Sequence, residues 1–311
     1  MNIVHKKNEK GVVLVSVLII VAMISLAVSL MWQQQAANLN STKNIIHTSQ
    51  AVSYLYSLEV WTKSILRDDD AQADYSEERW AVAIPPIKVP NGVLHGKIID
   101  MQARLNINHL ISINSNFTQA YLIPNYKNCL DRLNTNLDQD FMSDFIIEYV
   151  NKQRPIKKFK HLSDLRKVEG IEYKDYLKIK PYLTASSVIN TVNINTVSKE
   201  VLSCLHPDLS ISLAQDIIGK RPFNSLGEAQ TAIHQAIGGL SMANIQKIFN
   251  ANLISINSHF FLLESDIQIA SSHIKVETLF HRENRLLSVI SRTYEQILRP
   301  LYNPTKKPQI Q

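Results

Sequence analysis

An apolar run from Val12 to Met31 follows Lys6, Lys7 and Lys10, and no glycine or proline occurs between Val12 and Ile84. About twenty apolar residues suffice to cross a bilayer as a helix. Basic residues ahead of the run and none within it predict a cytoplasmic N-terminus, with everything after Trp32 outside the cytoplasm. The helical pattern does not stop at the membrane. Ala51, Tyr54, Leu58, Trp61 and Ile65 recur at three- and four-residue steps, one apolar face of a helix. A helix from Val12 to about Leu66 is roughly 80 Å long at 1.5 Å per residue.

Three fates fit this N-terminus. One is an uncleaved single-span anchor. Another is a secretory signal cut near Ala27-Val28-Ser29. The third is a prepilin-type leader, residues 1–11, cut between Gly11 and Val12. The lone glycine at the polar–apolar junction and the unbroken helix favour the third, because a simple anchor usually breaks after the membrane.

The 311 residues are 45% hydrophobic and 19% charged, which suits a globular chain with one membrane segment. The formal charge is +6. Removing residues 1–11 takes away three lysines and one glutamate and leaves +4, too little to demand a polyanionic partner. Eight glycines leave little material for phosphate loops. Cys129 and Cys204 match no metal spacing. In an oxidising compartment they either pair, closing a loop of roughly seventy-five residues worth about 4 kcal/mol, or remain buried thiols.

Beyond the long helix, residues 67–78 are polar and acidic. Asp68-Asp69-Asp70 reads either as a cation site or, more commonly, as a solvated loop. Pro85, Pro86, Pro90 and Asn91-Gly92 mark turns. The stretch VLHGKIIDMQARLNINHL reads as extended, residues 111–251 as helical, and the runs SHFFLLESDIQIA, HIKVETLFHR and RLLSVISRTYE as three strands. Residues 299–311 form a Pro- and Lys-rich tail. The expected fold is therefore α+β. A long transmembrane N-terminal helix, residues 12–66 with 12–31 in the membrane, packs on an antiparallel sheet built from residues 67–110 and 252–298. An all-helical insertion, 111–251, interrupts the sheet.

Within the insertion, Leu162-Ser163-Asp164-Leu165 opens a helix with Ser163 or Asp164 as cap, and Val192-Asn193-Ile194-Asn195-Thr196 leads into another. Both resemble helix-hairpin-helix (SAM-like) units, which suggests a membrane-anchored DNA receptor of a competence system as an alternative. Phosphate recognition there needs bare backbone amides. One hairpin, Val168-Glu169-Gly170-Ile171, has a single glycine. The other, His206-Pro207-Asp208-Leu209, has none and carries Asp208 where phosphate would sit. No nucleic acid is expected. Motifs for a metalloprotease, a serine nucleophile or a P-loop are missing, so neither an enzyme nor a bound cofactor is expected.

Five segments, in order, resemble the K-type minor pseudopilins of type II secretion systems: GVVLVSVLIIVAMISLAV, GKIIDMQARLNINHL, HLSDLRKVEGIEYKDYLKIKPYLT, VNINTVSKEVLSCL and INSHFFLL. The resemblance implies a pilin-like head, cleavage between Gly11 and Val12 by a prepilin peptidase, N-methylation of Val12 and retention in the inner membrane with the bulk periplasmic. It implies I- and J-type minor pseudopilins as partners and a non-catalytic place at the pseudopilus tip. Most pseudopilins carry Glu at mature position five; the K type lacks it, and here Ser16 stands in that place. The family's calcium-associated acidic segment is replaced by the short, basic FIIEYVNKQRPIKKFKHL. Hard cations need several oxygen ligands, so calcium is not expected at that place.

Overall fold

The computed structural model describes residues 10–69, 72–83, 85–112, 126–139, 142–152, 158–189, 191–283 and 285–295. Most of the leader and all of the 299–311 tail lie outside the described residues. The first element, α1 (Lys10–Asp68), is about 90 Å long at 1.5 Å per residue. It leads to β1 (Ile87–Val89) and β2 (Gly92–Asp100). The chain then enters a helical block of two successive parts. The first comprises β3 (Leu105–Asn106), α2 (Asn108–Ser112), α3 (Tyr126–Asn136), α4 (Ser143–Lys152), a 3-10 turn (Leu162–Lys167), α5 (Tyr173–Ile179) and β4 (Leu183–Thr184). The second comprises β5 (Val192–Asn193), α6 (Lys199–Cys204), α7 (Ile211–Ile218), α8 (Leu226–Ile237), α9 (Met242–Ile248) and β6 (Ile254–Ser255). The chain returns through β7 (Phe260–Ile269), β8 (Ser272–Glu283) and β9 (Leu286–Glu295).

The sheet is antiparallel with strand order β1-β2-β7-β8-β9, so the helical block is spliced between two neighbouring strands, β2 and β7. Period-two alternation sends Leu94 and Ile98, Phe261, Leu263 and Ile267, and Val276 and Phe280 toward α1. The helix meets them with Ala51, Leu55, Leu58, Ile65 and Leu66. The buried face thus follows 51-55-58-62-65/66, the true 3.6-residue row. Tyr54 sits on its flank and Trp61 faces outward at 37% exposure, although both fitted the sequence periodicity. Glu59 pins the helix to the sheet, accepting from Arg292 Nε at 2.7 Å and Nη2 at 2.8 Å, and from Thr278 Oγ1 at 3.0 Å.

The block has its own core, running from Leu105 to Ile254. Its packing therefore begins at Leu105, ahead of residue 111, because Leu105, Ile107 and Leu110 are buried among the helices. Its two parts repeat one plan. Each opens on an Asn-x-Asn loop after a two-residue strand and closes on a parallel partner, β3 with β4 and β5 with β6. In the first, Asn108 brackets a distant backbone unit, donating from Nδ2 to Phe159 O and accepting at Oδ1 from Phe159 N, both at 2.9 Å. In the second, Asn195 does the same to Phe223, at 3.0 and 2.8 Å. Side-chain amides here stand in for strand pairing, so buried backbone groups keep partners where no strand runs. Ser198, Ser210, Ser225 and Ser241 cap α6 to α9 by accepting from the amide three residues on. At Leu162 the cap is instead His161, whose Nδ1 accepts from Ser163 N. Asp164 takes the reciprocal place, accepting from the His161 amide at 3.2 Å. Gly170, at φ +91°, has the left-handed backbone its turn requires, and a Cβ there would press on the Phe145 ring at 3.0 Å.

Candidate functional site

Two regions of the molecule bear on function, the anchored helix and the junction between sheet and helical block. Along α1 the residues Val13 to Trp32 are all exposed. It is the one helix among the described residues long and apolar enough to cross a membrane. Gly11 and Val12 lie in its first turn, and Ser16 one turn on. Beyond Trp32 the outward face carries Leu39, Ile45, Ile46, Tyr56 and Val60, all at least half exposed. Between them the Ser53 and Ser57 hydroxyls donate to carbonyls four residues back, at 3.0 and 3.1 Å. These donors are met within the helix, and the small side chains leave room for a neighbouring helix to approach.

At the junction, the segment after α1, β2 and β8 bring charged groups into the interior, met by polar groups of β5 and the loop ahead of β7. Arg282, 2% exposed, donates from Nη2 to both Asp74 oxygens at 2.5 Å and to Ser258 O at 2.9 Å. Its guanidinium also lies 4.7 Å from the Phe261 ring centre. Asp74 has no exposed surface, and its Oδ2 accepts from Ser258 N at 2.6 Å. Nearby Asp100 accepts from Ser258 Oγ at 2.6 Å, Thr196 Oγ1 at 2.5 Å, Gln102 N at 2.7 Å and Asn193 Nδ2 at 3.2 Å. Burial raises the pKa of both Asp74 and Asp100, against the hydrogen bonds that favour their charged forms and, at Asp74, the adjacent Arg282. These groups tie the second helical part to the sheet. The sequence reading passed over them, since a residue's burial beside a remote partner leaves no local signal.

Glu78 completes the acidic side of the cluster, accepting from Trp80 Nε1 at 2.5 Å and from the Tyr75 amide at 3.2 Å. Burial pushes its carboxyl up to about 7. From about pH 4.5, its ordinary value, to about 7 the folded protein holds a proton that the unfolded chain has released. Stability therefore declines as pH rises through that window and levels above it. Glu277, hydrogen-bonded by His161 and ion-paired with Lys180, is held down to about 2, so it acts only below about 4.5. Glu78→Gln is expected to make the decline between about pH 4.5 and 7 shallower. Urea unfolding of the full chain in detergent across that range measures it, and equal slopes in both proteins would refute the assignment.

The structure brings Cys129 of α3 and Cys204 of α6 together as fully buried free thiols. Burial, with a hydrogen bond from the Cys204 S–H to the neighbouring Cys129, lifts the Cys204 thiol well above its usual range. The same helix pair is tied by Arg132 Nη2 to Cys204 O and by Asn136 Nδ2 to Ser203 Oγ.

In the second hairpin the amides that would meet a phosphate are already engaged. Asp208 N donates to His206 Nδ1 at 3.2 Å and Leu209 N to His206 O at 3.1 Å. In the Asn-x-Asn loops the asparagines point inward as brackets, away from any ligand.

The described part of 145–162 holds a single carboxylate, Glu148. Glu148 is paired with Lys152 at 2.7 Å, and Lys158 and Lys160 follow. Residues 153–157 lie outside the described residues. Asp70 does too, while Asp69 joins Asp74 and Glu78 in a carboxylate cluster among the described residues. Arg282 reaches two of the three, with Asp69 at 3.4 Å, so a guanidinium already supplies the positive charge.

A long apolar helix docked lengthwise on an antiparallel sheet defines a pilin-like, membrane-anchored subunit. Residues 192–252 match the family model for type II secretion system (T2SS) protein K. Type II secretion system protein K of Pseudomonas aeruginosa is 22% identical, with 94% of each chain covered. That of Klebsiella pneumoniae is 21% identical, over 92% of this chain and 97% of the relative. A solved chain from the GspK-GspI-GspJ complex of enterotoxigenic Escherichia coli superimposes with a TM-score of 0.65 at 20% identity, covering 82% of this chain and 99% of the other. That likeness carries the fold. The resemblance to K-type pseudopilins read from the sequence holds across nearly the whole chain.

Proposed function

We propose that this chain is the minor pseudopilin at the tip of a type II secretion pseudopilus, where it nucleates or caps assembly for protein export. The observation that carries the reading is the placement of the helical block. It is spliced between β2 and β7 of a pilin-like sheet, adding bulk to the head that obstructs a further subunit above it. In this reading the helix is held in the inner membrane with its N-terminus cytoplasmic and the head periplasmic. A prepilin peptidase cuts between Gly11 and Val12, and Val12 is methylated. Ser16 lacks the carboxylate with which, as the family resemblance implies, ordinary pseudopilins neutralise the N-terminal amine of a neighbour already in place. A buried unpaired charge is costly; a first subunit needs no such guide. The face carrying Ile45, Ile46, Tyr56 and Val60 then receives the helices of I- and J-type partners, proteins of the kind found with the solved neighbour. The role is structural rather than enzymatic, and it calls for no cofactor and no calcium.

Co-expression of the full chain with the I- and J-type proteins of the same secretion system tests the reading. A stable complex is expected, with export lost on deletion of this chain. Export intact without it, or no complex, refutes the tip role. Duplex DNA binding that weakens steeply with salt would favour the competence-receptor alternative, against which the engaged amides of Asp208 and Leu209 argue.

In the oxidising periplasm Cys129 and Cys204 are expected to pair, losing two protons and two electrons to a disulfide-donating oxidant. Alkylation of the denatured protein without reductant checks this. Full labelling of both thiols in protein from the native compartment would show that they stay reduced.

A further inference from the structure

The face of the sheet opposite α1 is partly covered by the first helical part, and a cavity of about 80 Å³ lies between them. Arg104, on the link from the first 3-10 turn (Met101–Ala103) to β3, reaches into it and is only 8% exposed. Among the described residues its guanidinium has no hydrogen-bond acceptor and no carboxylate at ion-pairing distance. Five N–H donors on a permanent charge thus face the cavity, with most of the residue's surface withdrawn from bulk water, and an anion there would give them a partner.

The carboxylate that shares the cavity is already engaged. Glu277 gives Oε1 to Lys180 Nζ at 2.9 Å and Oε2 to His161 Nε2 at 3.4 Å. Glu264 and Asp100 favour the Arg104 charge only from a distance. Asp100 spends its oxygens on Ser258, Thr196, Gln102 and Asn193. Lys160, exposed, stands at the rim of the same cavity. Three fixed cations, Arg104, Lys160 and Lys180, therefore face one carboxylate. Lys160 and Ser291, both exposed, bring part of the cavity's lining to the surface. The cavity has room for a group the size of a carboxylate or phosphate.

We infer that this cavity is an oxyanion-binding site, in which Arg104 receives a carboxylate or phosphate group and Lys160 holds its outer side. A guanidinium presents paired donors suited to either oxyanion, and such charge-assisted bonds are roughly twice as strong as neutral ones. The site lies on the seam between the sheet and the helical block, so its occupant bridges the two. It is distinct from the face of α1 and does not depend on assembly into a filament.

Calorimetric titration of the full chain in detergent with sodium acetate and with inorganic phosphate, at constant ionic strength set by chloride, tests it. Saturable one-to-one binding of at least one probe is expected, weakened at least tenfold in Arg104→Gln and several-fold in Lys160→Gln. Binding of acetate alone assigns the site to a carboxylate, from an acidic side chain, a chain terminus or a free acid. Binding of phosphate alone assigns it to a phosphate. No saturable binding of either, or equal affinity in Arg104→Gln, overturns the inference. Should Arg104→Gln fail to fold, Lys160→Gln decides, because its side chain is at the surface; unchanged affinity there overturns the site.

Discussion

Arg282→Met is expected to cost about 3–5 kcal/mol of unfolding free energy, the range for removing one partner of a buried ion pair. Methionine can fill much of the volume, so the loss is chiefly electrostatic. Asp74 would remain with no exposed surface, keeping the Ser258 amide but losing its counter-charge. Its carboxyl, already raised by burial, would rise further and take up a proton. The defect should therefore be smaller in mild acid than at neutral pH, since protonation relieves the isolated charge. Pairing Arg282→Met with Asp74→Asn should recover most of the loss, because a buried pair replaced as a unit is often nearly neutral. Urea unfolding of the single and double variants measures this. A single-variant loss below about 1 kcal/mol would mean that Asp74 is already neutral beside Arg282 and that the pair holds nothing together. A double variant as damaged as the single would mean that Arg282 acts through Leu66 O, Ser258 O and the Phe261 ring instead.

Gly11→Val should leave the protein as an unprocessed precursor, with mature product reduced at least tenfold, about 1.4 kcal/mol or more when read as a difference in activation free energy. The expected wild-type product begins at Val12, methylated on its amine. Uncut, the leader keeps Lys6, Lys7 and Lys10 at the cytoplasmic surface, where their charge opposes passage of the helix through the membrane. Precursor should therefore accumulate in the membrane and be absent from any pilus-like assembly. Intact-mass measurement settles the matter. A wild-type protein that starts at Met1, or beyond Ser29, would remove the leader and with it the proposed route into the filament.

Both expectations join the two ends of the proposed function. The helix must leave the membrane as one rigid rod, and the head must bear the helical block without shearing at the seam. Glu59 and its bidentate contact with Arg292 serve the first need by fixing the helix to the sheet. Arg282, Asp74 and Asp100 serve the second. Polar groups suit this seam because misplacing it would leave charges buried and unpaired, so one arrangement is strongly preferred.

Local order carries its own signature along a chain, and that much was legible from residues alone. Twenty apolar residues without a breaker specify a membrane helix, since backbone groups in lipid must bond within the segment. Alternation in SHFFLLESDIQIA and its two successors specifies strands, since successive side chains face opposite ways. The split sheet and the helical block between its halves follow from those two periods and from the prolines and glycines that interrupt them. Tertiary packing decided what spacing leaves degenerate. Tyr54 and Trp61 fit the apolar row as well as Leu55 and Leu66 do, and only contact with the sheet turned Trp61 outward. His161 took the cap position in place of Ser163 or Asp164 because its ring reached the Ser163 amide, leaving Asp164 to bond back to the His161 amide. Asp74, Asp100 and Arg282 look like ordinary surface charges in sequence; they meet inside because the segment after α1, β2 and β8 converge there beside the second Asn-x-Asn loop. Arg104 is set apart in the same way, by walls drawn from segments far along the chain. A charge's worth depends on the distance and dielectric around it, and folding alone supplies both.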